Sequence, residues 1–176
     1  MKKLTSEELN RVNINEFKSL SKSPFVVVLD NIRSLNNVGS VFRSSDAFLV
    51  ETIYLCGITA QPPHKDIHKT ALGATESVDW IYFDHTLDAI ADLKQKGYKI
   101  VAIEQTDNSI FLQDFKIQSD EKYALILGHE VKGVDQQVID VCDFVLEIPQ
   151  YGTKHSFNIS VTTGIILWEL FRQFKY

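Results

Sequence analysis

The sequence has few cysteines and no long apolar segment. Its two cysteines, Cys56 and Cys142, both lie inside apolar runs, where buried, reduced thiols are usually found. No apolar run approaches the roughly 20 residues that span a bilayer. The first ten residues turn polar and acidic directly after two lysines, unlike a signal peptide. We therefore expect a cytoplasmic globular protein with no membrane partner.

The chain also has no excess of basic residues. Its formal net charge is -5, from 18 lysines and arginines against 23 aspartates and glutamates. This balance argues against a strongly basic surface for nucleic acid, although it leaves room for a local basic patch. The length of 176 residues suits one domain, and we predict a single domain over residues 1–176.

Several common catalytic motifs are missing. The sequence contains no GxxxxGK[ST] phosphate loop, no GxGxxG after the first strand-like run and no GxSxG nucleophile motif. Residues 129–133 begin like the HExxH motif of zinc proteases, but a glycine stands where the second histidine should be. His64 and His68 are four residues apart without a third ligand nearby. We therefore predict that the protein binds no metal.

What the chain has instead is an alternation of apolar, strand-like runs with helical patterns. Six strands are predicted, over residues 25–29, 52–56, 78–83, 98–103, 123–127 and 144–148. Their residues are apolar on both faces, which is typical of strands buried inside a parallel sheet. The alternation predicts an α/β fold with a mostly parallel, doubly wound sheet flanked by helices.

Helices are predicted around these strands. They are expected over residues 5–20 (an N-terminal helix), 38–48, 86–96, 135–141 and 156–174. Residues 58–77 contain several turn-forming residues and are expected to form a long loop with one short helix near 66–72. Residues 109–115 are expected to form a turn or a short helix.

Polar residues that can accept a hydrogen bond from the first helical turn mark the expected helix starts. The candidates are Thr5 or Ser6, Asn37, Asp84 or Thr86, and Ser156 or Asn158. With Asn37 as the cap, Arg43 would lie near the helix start, where it could reach a phosphate bound at the helix N-terminus. The alternative is that Arg43 is an exposed, solubilising residue.

Two glycine-rich polar loops follow the fifth and sixth predicted strands. Residues 128–134 read GHEVKGV, and residues 148–160 read IPQYGTKHSFNIS. Open α/β sheets bind ligands at the carboxyl ends of their strands, and glycine lets a backbone approach a ligand closely. The C-terminal third of the chain is therefore predicted to hold a ligand site.

Three motifs occur in order along the chain. They are NxGxxxR at residues 37–43, GHExxGV at 128–134 and IPQxGxxxSxNxSV at 148–161. Together they closely resemble the SpoU (TrmH-type) RNA 2′-O-ribose methyltransferases of the SPOUT superfamily. The resemblance implies a C-terminal deep trefoil knot, expected within residues 121–176. It also implies S-adenosyl-L-methionine as the cofactor and a homodimer with its active sites at the subunit interface.

The resemblance also implies site residues by their position in the motifs. The expected catalytic residues are Arg43, Asn37, Glu130, Ser156 and Asn158. The expected cofactor-binding residues are Glu104, Leu127, Gly128, Ile148, Gln150, Gly152 and Ser156. The family proposal makes Arg43 the base, but a guanidinium stays protonated near neutral pH. Our hypothesis is that Arg43 binds an RNA phosphate and steers the 2′-hydroxyl.

The predicted activity is methylation of a ribose 2′-hydroxyl in RNA, with tRNA favoured over rRNA. One alternative is a non-catalytic RNA-binding relative of the same fold, and another is a nucleotide-binding protein of the flavodoxin-like kind. No separate RNA-binding domain is predicted, so the RNA is expected to lie on the catalytic domain. Five cations in or near the loops are expected to form a basic surface, the alternative being scattered surface charges. They are Arg33, Lys65, Lys69, Lys132 and Lys154.

Overall fold

The strands form one parallel sheet in the computed structural model, which describes residues 1–5 and 7–176. The strands are β1 Phe25–Asp30, β2 Thr52–Cys56, β3 Asp79–Phe83, β4 Tyr98–Ile103, β5 Ile110–Phe111, β6 Lys122–Leu127 and β7 Phe144–Glu147. Their order across the sheet is β3-β2-β1-β6-β4-β7-β5, and every pairing is parallel. The predicted parallel sheet is confirmed, and the six predicted strands differ by at most one residue at either end. Residues 109–115, where a turn or short helix was predicted, contain the two-residue β5, which was not predicted, followed by a turn at residues 112–114.

Helices cover both faces of this sheet. They are α1 Ile14–Ser19, α2 Leu35–Ala47, α3 Lys65–Ala71, α4 Ala74–Ser77, α5 Thr86–Gln95, α6 Gln136–Ile139 and α7 Ile159–Lys175. Alternate residues of each strand point to opposite faces, so the sheet separates two apolar cores. One core contains side chains of α1, α2, α3, α4 and α7, and the other contains side chains of α5 and α6.

The first helix is shorter than predicted. It begins at Ile14, because Asn13 caps it in a reciprocal arrangement. The Asn13 side chain accepts a hydrogen bond from the Glu16 N–H at 3.0 Å, and the Glu16 carboxylate accepts one from the Asn13 N–H at 2.9 Å. The prediction of Thr5 as the cap is wrong, and the alternative, Ser6, lies outside the described residues.

The second helix begins earlier than predicted. Ser34 is its cap, and the Ser34 hydroxyl accepts a hydrogen bond from the Asn37 N–H at 3.3 Å. Asn37 is therefore inside the helix, and the prediction that it caps α2 is wrong. Arg43 consequently lies about 12 Å along the axis from the first helical residue, and its predicted place near the helix start is wrong.

The start of α5 differs from the prediction, and the start of α7 agrees with one of its two alternatives. His85 precedes α5 without a side-chain capping bond, so both Asp84 and Thr86 are wrong as caps. The Thr86 hydroxyl instead donates to the buried Asp30 carboxylate. Of the two candidates for α7, Asn158 is the cap, and its side-chain oxygen accepts from the Ser160 N–H at 2.8 Å.

Both cysteines are free thiols in the structure, with Cys56 buried and Cys142 half-buried. Burial raises the pKa of Cys56 to about 12 and that of Cys142 to about 11. Because the thiolate is the reactive form, neither side chain is a nucleophile at neutral pH. Within the described part of the chain, no helix combines the length and apolar character that crossing a membrane requires.

Gly39 lets α2 and α3 approach closely. A Cβ atom at Gly39 would overlap the Ile67 carbonyl oxygen and the Thr70 hydroxyl oxygen. We expect Gly39→Ala to lower the free energy of unfolding by about 1–3 kcal/mol, since the added methyl group overpacks a rigid contact. Urea denaturation measures this change. Gly164→Ala in α7 is the matched control, because its Cβ meets no atom within 4 Å. Equal stability of the two variants would contradict the prediction.

Candidate functional site

A cavity of about 490 Å³ opens beyond the carboxyl ends of β4, β6 and β7. Its walls come from residues 103–105 after β4, residues 127–134 after β6 and the segment that connects β7 to α7. The volume falls within the range of small-molecule sites. Both glycine-rich loops therefore meet at one place, as expected for loops at the same edge of a parallel sheet.

Most of the predicted cofactor-binding residues line this cavity. They are Glu104, Leu127, Gly128, Ile148, Gln150 and Ser156. Gly152 is exposed and is not among the lining residues. Further lining residues were not predicted to bind the cofactor, among them Gln105, His129, His155, Phe157, Ile159 and Thr162, while Lys132 was predicted only as part of a basic surface. Most of these lie in the loops already singled out, whereas Thr162 on α7 carried no distinguishing signal.

Gly128 stands where the loop after β6 closes back on itself. A Cβ atom at Gly128 would overlap the backbone of Gly133 and Val134. Gly133 has a φ of 72°, which glycine adopts without strain, and a Cβ there would overlap the Glu104 carboxylate. The tight path of residues 128–134 along the cavity therefore depends on both glycines.

Glu104 joins the end of β4 to this loop. One carboxylate oxygen accepts a hydrogen bond from the Val134 N–H at 3.1 Å. The other accepts from the Gln105 N–H at 2.8 Å. Glu104 is half-buried and lines the cavity, so its carboxylate can both brace the loop and meet a ligand.

Glu130 attaches the same loop to the start of α2. Its carboxylate accepts from the Arg33 N–H at 3.1 Å and from the Ser34 N–H at 2.9 Å. It also accepts from the Asn37 side-chain amide at 3.1 Å. Burial by itself would raise the pKa of Glu130, but these hydrogen bonds outweigh burial and lower the pKa. The positive end of the α2 dipole further favours the ionised form, so Glu130 is an anchored anion.

Asn37 connects the first motif to the third. While its amide nitrogen donates to Glu130, its amide oxygen accepts from the Asn158 side chain at 3.2 Å. The Asn158 oxygen in turn accepts from the Ser160 hydroxyl at 2.6 Å. A single chain of hydrogen bonds thus joins residues from all three motifs, which are far apart in sequence.

Arg43, which was also predicted to be catalytic, takes no part in this chain of hydrogen bonds. It is exposed, is not a lining residue of the cavity and has no ion-pair partner among the described residues. Asn37 and Arg43 are six positions apart on one helix, so their side chains lie about 120° apart around its axis. Arg43 therefore points away from the face on which Asn37 meets Glu130.

The five predicted cations are all exposed. Lys132 lines the cavity, Arg33 adjoins it through its backbone bond to Glu130, and Lys154 lies in the loop after β7. Lys65 and Lys69 lie on α3, which packs against α2. In the described part of the chain, none of their five charged side-chain groups forms an ion pair with a carboxylate within 4.0 Å. All five remain free to meet an anionic partner.

His64 has a local structural role. Its Nδ1 atom accepts a hydrogen bond from the Asp66 N–H at 3.2 Å, at the start of α3. Within residues 1–5 and 7–176, no group of three or more histidine, cysteine or acidic side chains could hold a metal ion.

Residues 24–168 match the model of the SpoU rRNA Methylase family. The chain belongs to this family. A curated relative, the 23S rRNA (guanosine-2′-O-)-methyltransferase RlmB of Neisseria meningitidis, is 27% identical over 165 residues, which cover 93% of this chain and 65% of the relative. The chain thus spans less than two thirds of that relative's length.

Solved structures of SpoU-type proteins share the fold. The A. aeolicus TrmH/SpoU tRNA modifying enzyme is 26% identical, with a TM-score of 0.80 over 91% of this chain and 80% of that one. An AdoMet-bound rRNA methyltransferase from Sinorhizobium meliloti is 24% identical, with a TM-score of 0.80 over 91% of this chain and 60% of that one. The parallel sheet and its helices are therefore those of the SpoU fold.

Proposed function

We propose that the protein is an S-adenosyl-L-methionine-dependent RNA methyltransferase that methylates a ribose 2′-hydroxyl, with tRNA favoured over rRNA. The observation that carries this proposal is the cavity between the two glycine-rich loops, together with the hydrogen-bond chain that joins Glu130, Asn37 and Asn158 beside it. Family membership and the AdoMet-bound relative support the cofactor. The tRNA modifying relative supports the preferred RNA, whereas the relatives from Neisseria meningitidis and Sinorhizobium meliloti are named as rRNA methyltransferases.

The residues around the cavity fit this cofactor. Ile103, Leu127 and Ile148 would provide an apolar wall for the nucleoside, and the loop backbones would provide hydrogen-bonding groups. Glu104 provides a carboxylate for the hydroxyl or ammonium groups of the ligand. When bound, the cofactor supplies a sulfonium-activated methyl group, which a ribose oxygen can attack without a metal ion.

The protein's own residues contribute by positioning the RNA. Glu130 holds the start of α2 against the cavity and thereby fixes Asn37, which orients Asn158. Ser156 presents a hydroxyl at the cavity wall. Arg43 binds a phosphate of the RNA and steers the 2′-hydroxyl, and the exposed cations around the cavity hold the flanking backbone. These phosphate contacts make RNA binding weaken as salt concentration rises.

The direction of Arg43 supports a homodimer in which each cavity receives Arg43 from the partner subunit. Exposed or half-exposed apolar side chains of α7, namely Val161, Ile165 and Trp168, lie on the helix whose Thr162 lines the cavity. A second copy packed on this face would border the cavity. We expect Trp168→Glu to give a monomer in sedimentation analysis, with loss of methyl transfer. A wild-type protein that sediments as a monomer would contradict the dimer.

The family resemblance and the strand order together support a knotted C-terminal region within a single domain over residues 1–176. Although β6 and β7 come late in the chain, β6 lies between β1 and β4, and β7 lies between β4 and β5. The Gln105 side chain also donates to the His155 carbonyl oxygen at 2.7 Å, which ties the last loop to the end of β4. A crystal structure traced through residues 100–176 tests the knot, and a trace that simplifies to an open line would contradict it.

Two experiments test the function in sequence. Calorimetry with S-adenosylhomocysteine should detect binding at sub-millimolar ligand, because the cavity has the size and lining of a nucleoside site. Mass spectrometry of RNA from a deletion strain should then reveal one missing 2′-O-methyl group. Absence of binding would contradict the methyltransferase proposal, and binding without any missing methyl group would favour a non-catalytic RNA-binding relative.

A further inference from the structure

The His129 imidazole holds together the loop that forms one wall of the cavity. Its Nδ1 atom accepts hydrogen bonds from the Val131 N–H at 3.0 Å and from the Lys132 N–H at 3.2 Å. The His129 carbonyl oxygen accepts a third bond, from the Gly133 N–H at 2.8 Å. Val131 and Lys132 are exposed, so the turn has little apolar packing and depends on these bonds.

Both bonds to Nδ1 require a neutral imidazole with its proton on Nε2. A protonated imidazole carries hydrogen on both nitrogens and can accept no hydrogen bond. It would instead direct an N–H group towards the N–H groups of Val131 and Lys132. Protonation of His129 therefore removes two bonds from the turn and replaces them with repulsion.

We infer that His129 is a positioning residue that makes cofactor affinity depend on pH, because only its neutral form holds residues 129–133 in the shape that borders the cavity. This inference rests on the proposed binding of S-adenosyl-L-methionine in that cavity. The two bonds accepted by His129 stabilise the turn between Gly128 and Val134. This turn is joined to the end of β4, because the Val134 N–H donates to the Glu104 carboxylate.

Other charged or titratable groups adjoin the same cavity and must be separated from His129. They are Glu104 at the end of β4, Arg33 before α2, Glu130 and Lys132 in the loop itself, and Lys154 and His155 after β7. Glu104 and Glu130 are both hydrogen-bonded to backbone N–H groups. His155 is the other imidazole at the cavity, so its contribution must be separated from that of His129.

Calorimetry with S-adenosylhomocysteine at two pH values tests the inference on the full chain. We expect wild-type affinity to fall several-fold between about pH 7 and pH 5.5, the interval in which histidine side chains gain charge. Asn Oδ1 occupies the place of His Nδ1 and does not titrate, so His129→Asn should change affinity by less than about threefold over this interval.

Two further variants complete the comparison. His129→Leu removes the acceptor at every pH and should weaken binding about tenfold at pH 7, in line with the loss of two modest hydrogen bonds. His85→Asn, at an exposed histidine without a side-chain capping bond, should keep the wild-type profile. Nitrogen-15 NMR of the ligand-free protein should show the His129 proton on Nε2 at neutral pH.

A wild-type pH profile in His129→Asn would overturn the inference, as would wild-type affinity in His129→Leu. A pH effect that disappears only in His155→Asn would assign the titration to His155 and also overturn it. If the wild type binds S-adenosylhomocysteine with an affinity that does not change with pH, the inference is wrong but the proposed function is not contradicted. Absence of binding at every pH would contradict both, and a proton on Nδ1 in the NMR experiment would contradict the turn itself.

Discussion

Replacing Arg43 by alanine is expected to lower the rate of methyl transfer about 100- to 1000-fold, the usual cost of losing a positioned charged donor at a reacting group. Affinity for S-adenosylhomocysteine should stay within about twofold of wild type, since Arg43 contributes nothing to the cavity wall. Single-turnover assays with saturating RNA measure the first quantity, and calorimetry measures the second. An Arg43→Ala enzyme that methylates at the wild-type rate would exclude any role for this residue.

The lysine variant separates the possible roles of the guanidinium. Lysine keeps the charge but loses the planar, bidentate fork that matches a phosphate. We expect Arg43→Lys to transfer methyl groups at least about tenfold more slowly than wild type under saturating RNA. Near-normal turnover with only weaker RNA binding would show that the guanidinium has no special role. Arg11→Ala, at another exposed arginine, is the matched control and should behave as wild type.

A mixing experiment tests whether Arg43 acts across the subunit interface. Arg43→Ala has an intact cavity, whereas Gly128→Ala has an intact Arg43. If Arg43 serves the partner's cavity, heterodimers of these two variants contain one complete site and activity returns on mixing. Inactivity of the mixture, with heterodimers shown by mass spectrometry, would place Arg43 in its own subunit's site.

The strands were the most predictable part of the fold, for a physical reason. Strands buried on both faces require nearly continuous apolar runs, and residues 25–29 and 98–103 are runs of this kind and of strand length. The helix starts were less predictable, because several neighbouring side chains can act as caps. Ser34 and Asn37 are both good capping residues; in the structure Ser34 is the cap, and the Asn37 side chain is instead bonded to Glu130.

The candidate site was predictable as a set of residues but not as an arrangement. The motifs predicted Glu130 and Asn158 as site residues, but they could not indicate that both side chains are hydrogen-bonded to Asn37. The direction of the Arg43 side chain depends on which residues are helical. The observed α2 begins at Leu35, three residues before the predicted start at residue 38. The acceptor role of His129 depends on the fold of its own loop, for which the sequence carries no periodic signal.

Gly128→Ala is expected to weaken binding of S-adenosylhomocysteine at least about 100-fold, because the added methyl group must displace backbone that forms the cavity wall. The Cβ would meet backbone atoms of Gly133 and Val134, and no side-chain rotation can relieve such a contact. The loop must therefore move as a whole, away from the carboxylate of Glu104 that holds it at Val134. Calorimetry measures the loss, and circular dichroism checks that the variant is folded.

Gly152→Ala provides the matched comparison within the other glycine-rich loop. Its Cβ meets no atom within 4 Å, so any contact that the Gly152 backbone makes with the cofactor can persist in the alanine variant. We expect its affinity to stay within about threefold of wild type, since a methyl group facing solvent costs little. Equal affinity losses in the two variants would mean that loop flexibility, not the close backbone contact at Gly128, governs binding. A folded Gly128→Ala protein with wild-type affinity would mean that the cofactor does not depend on this wall of the cavity.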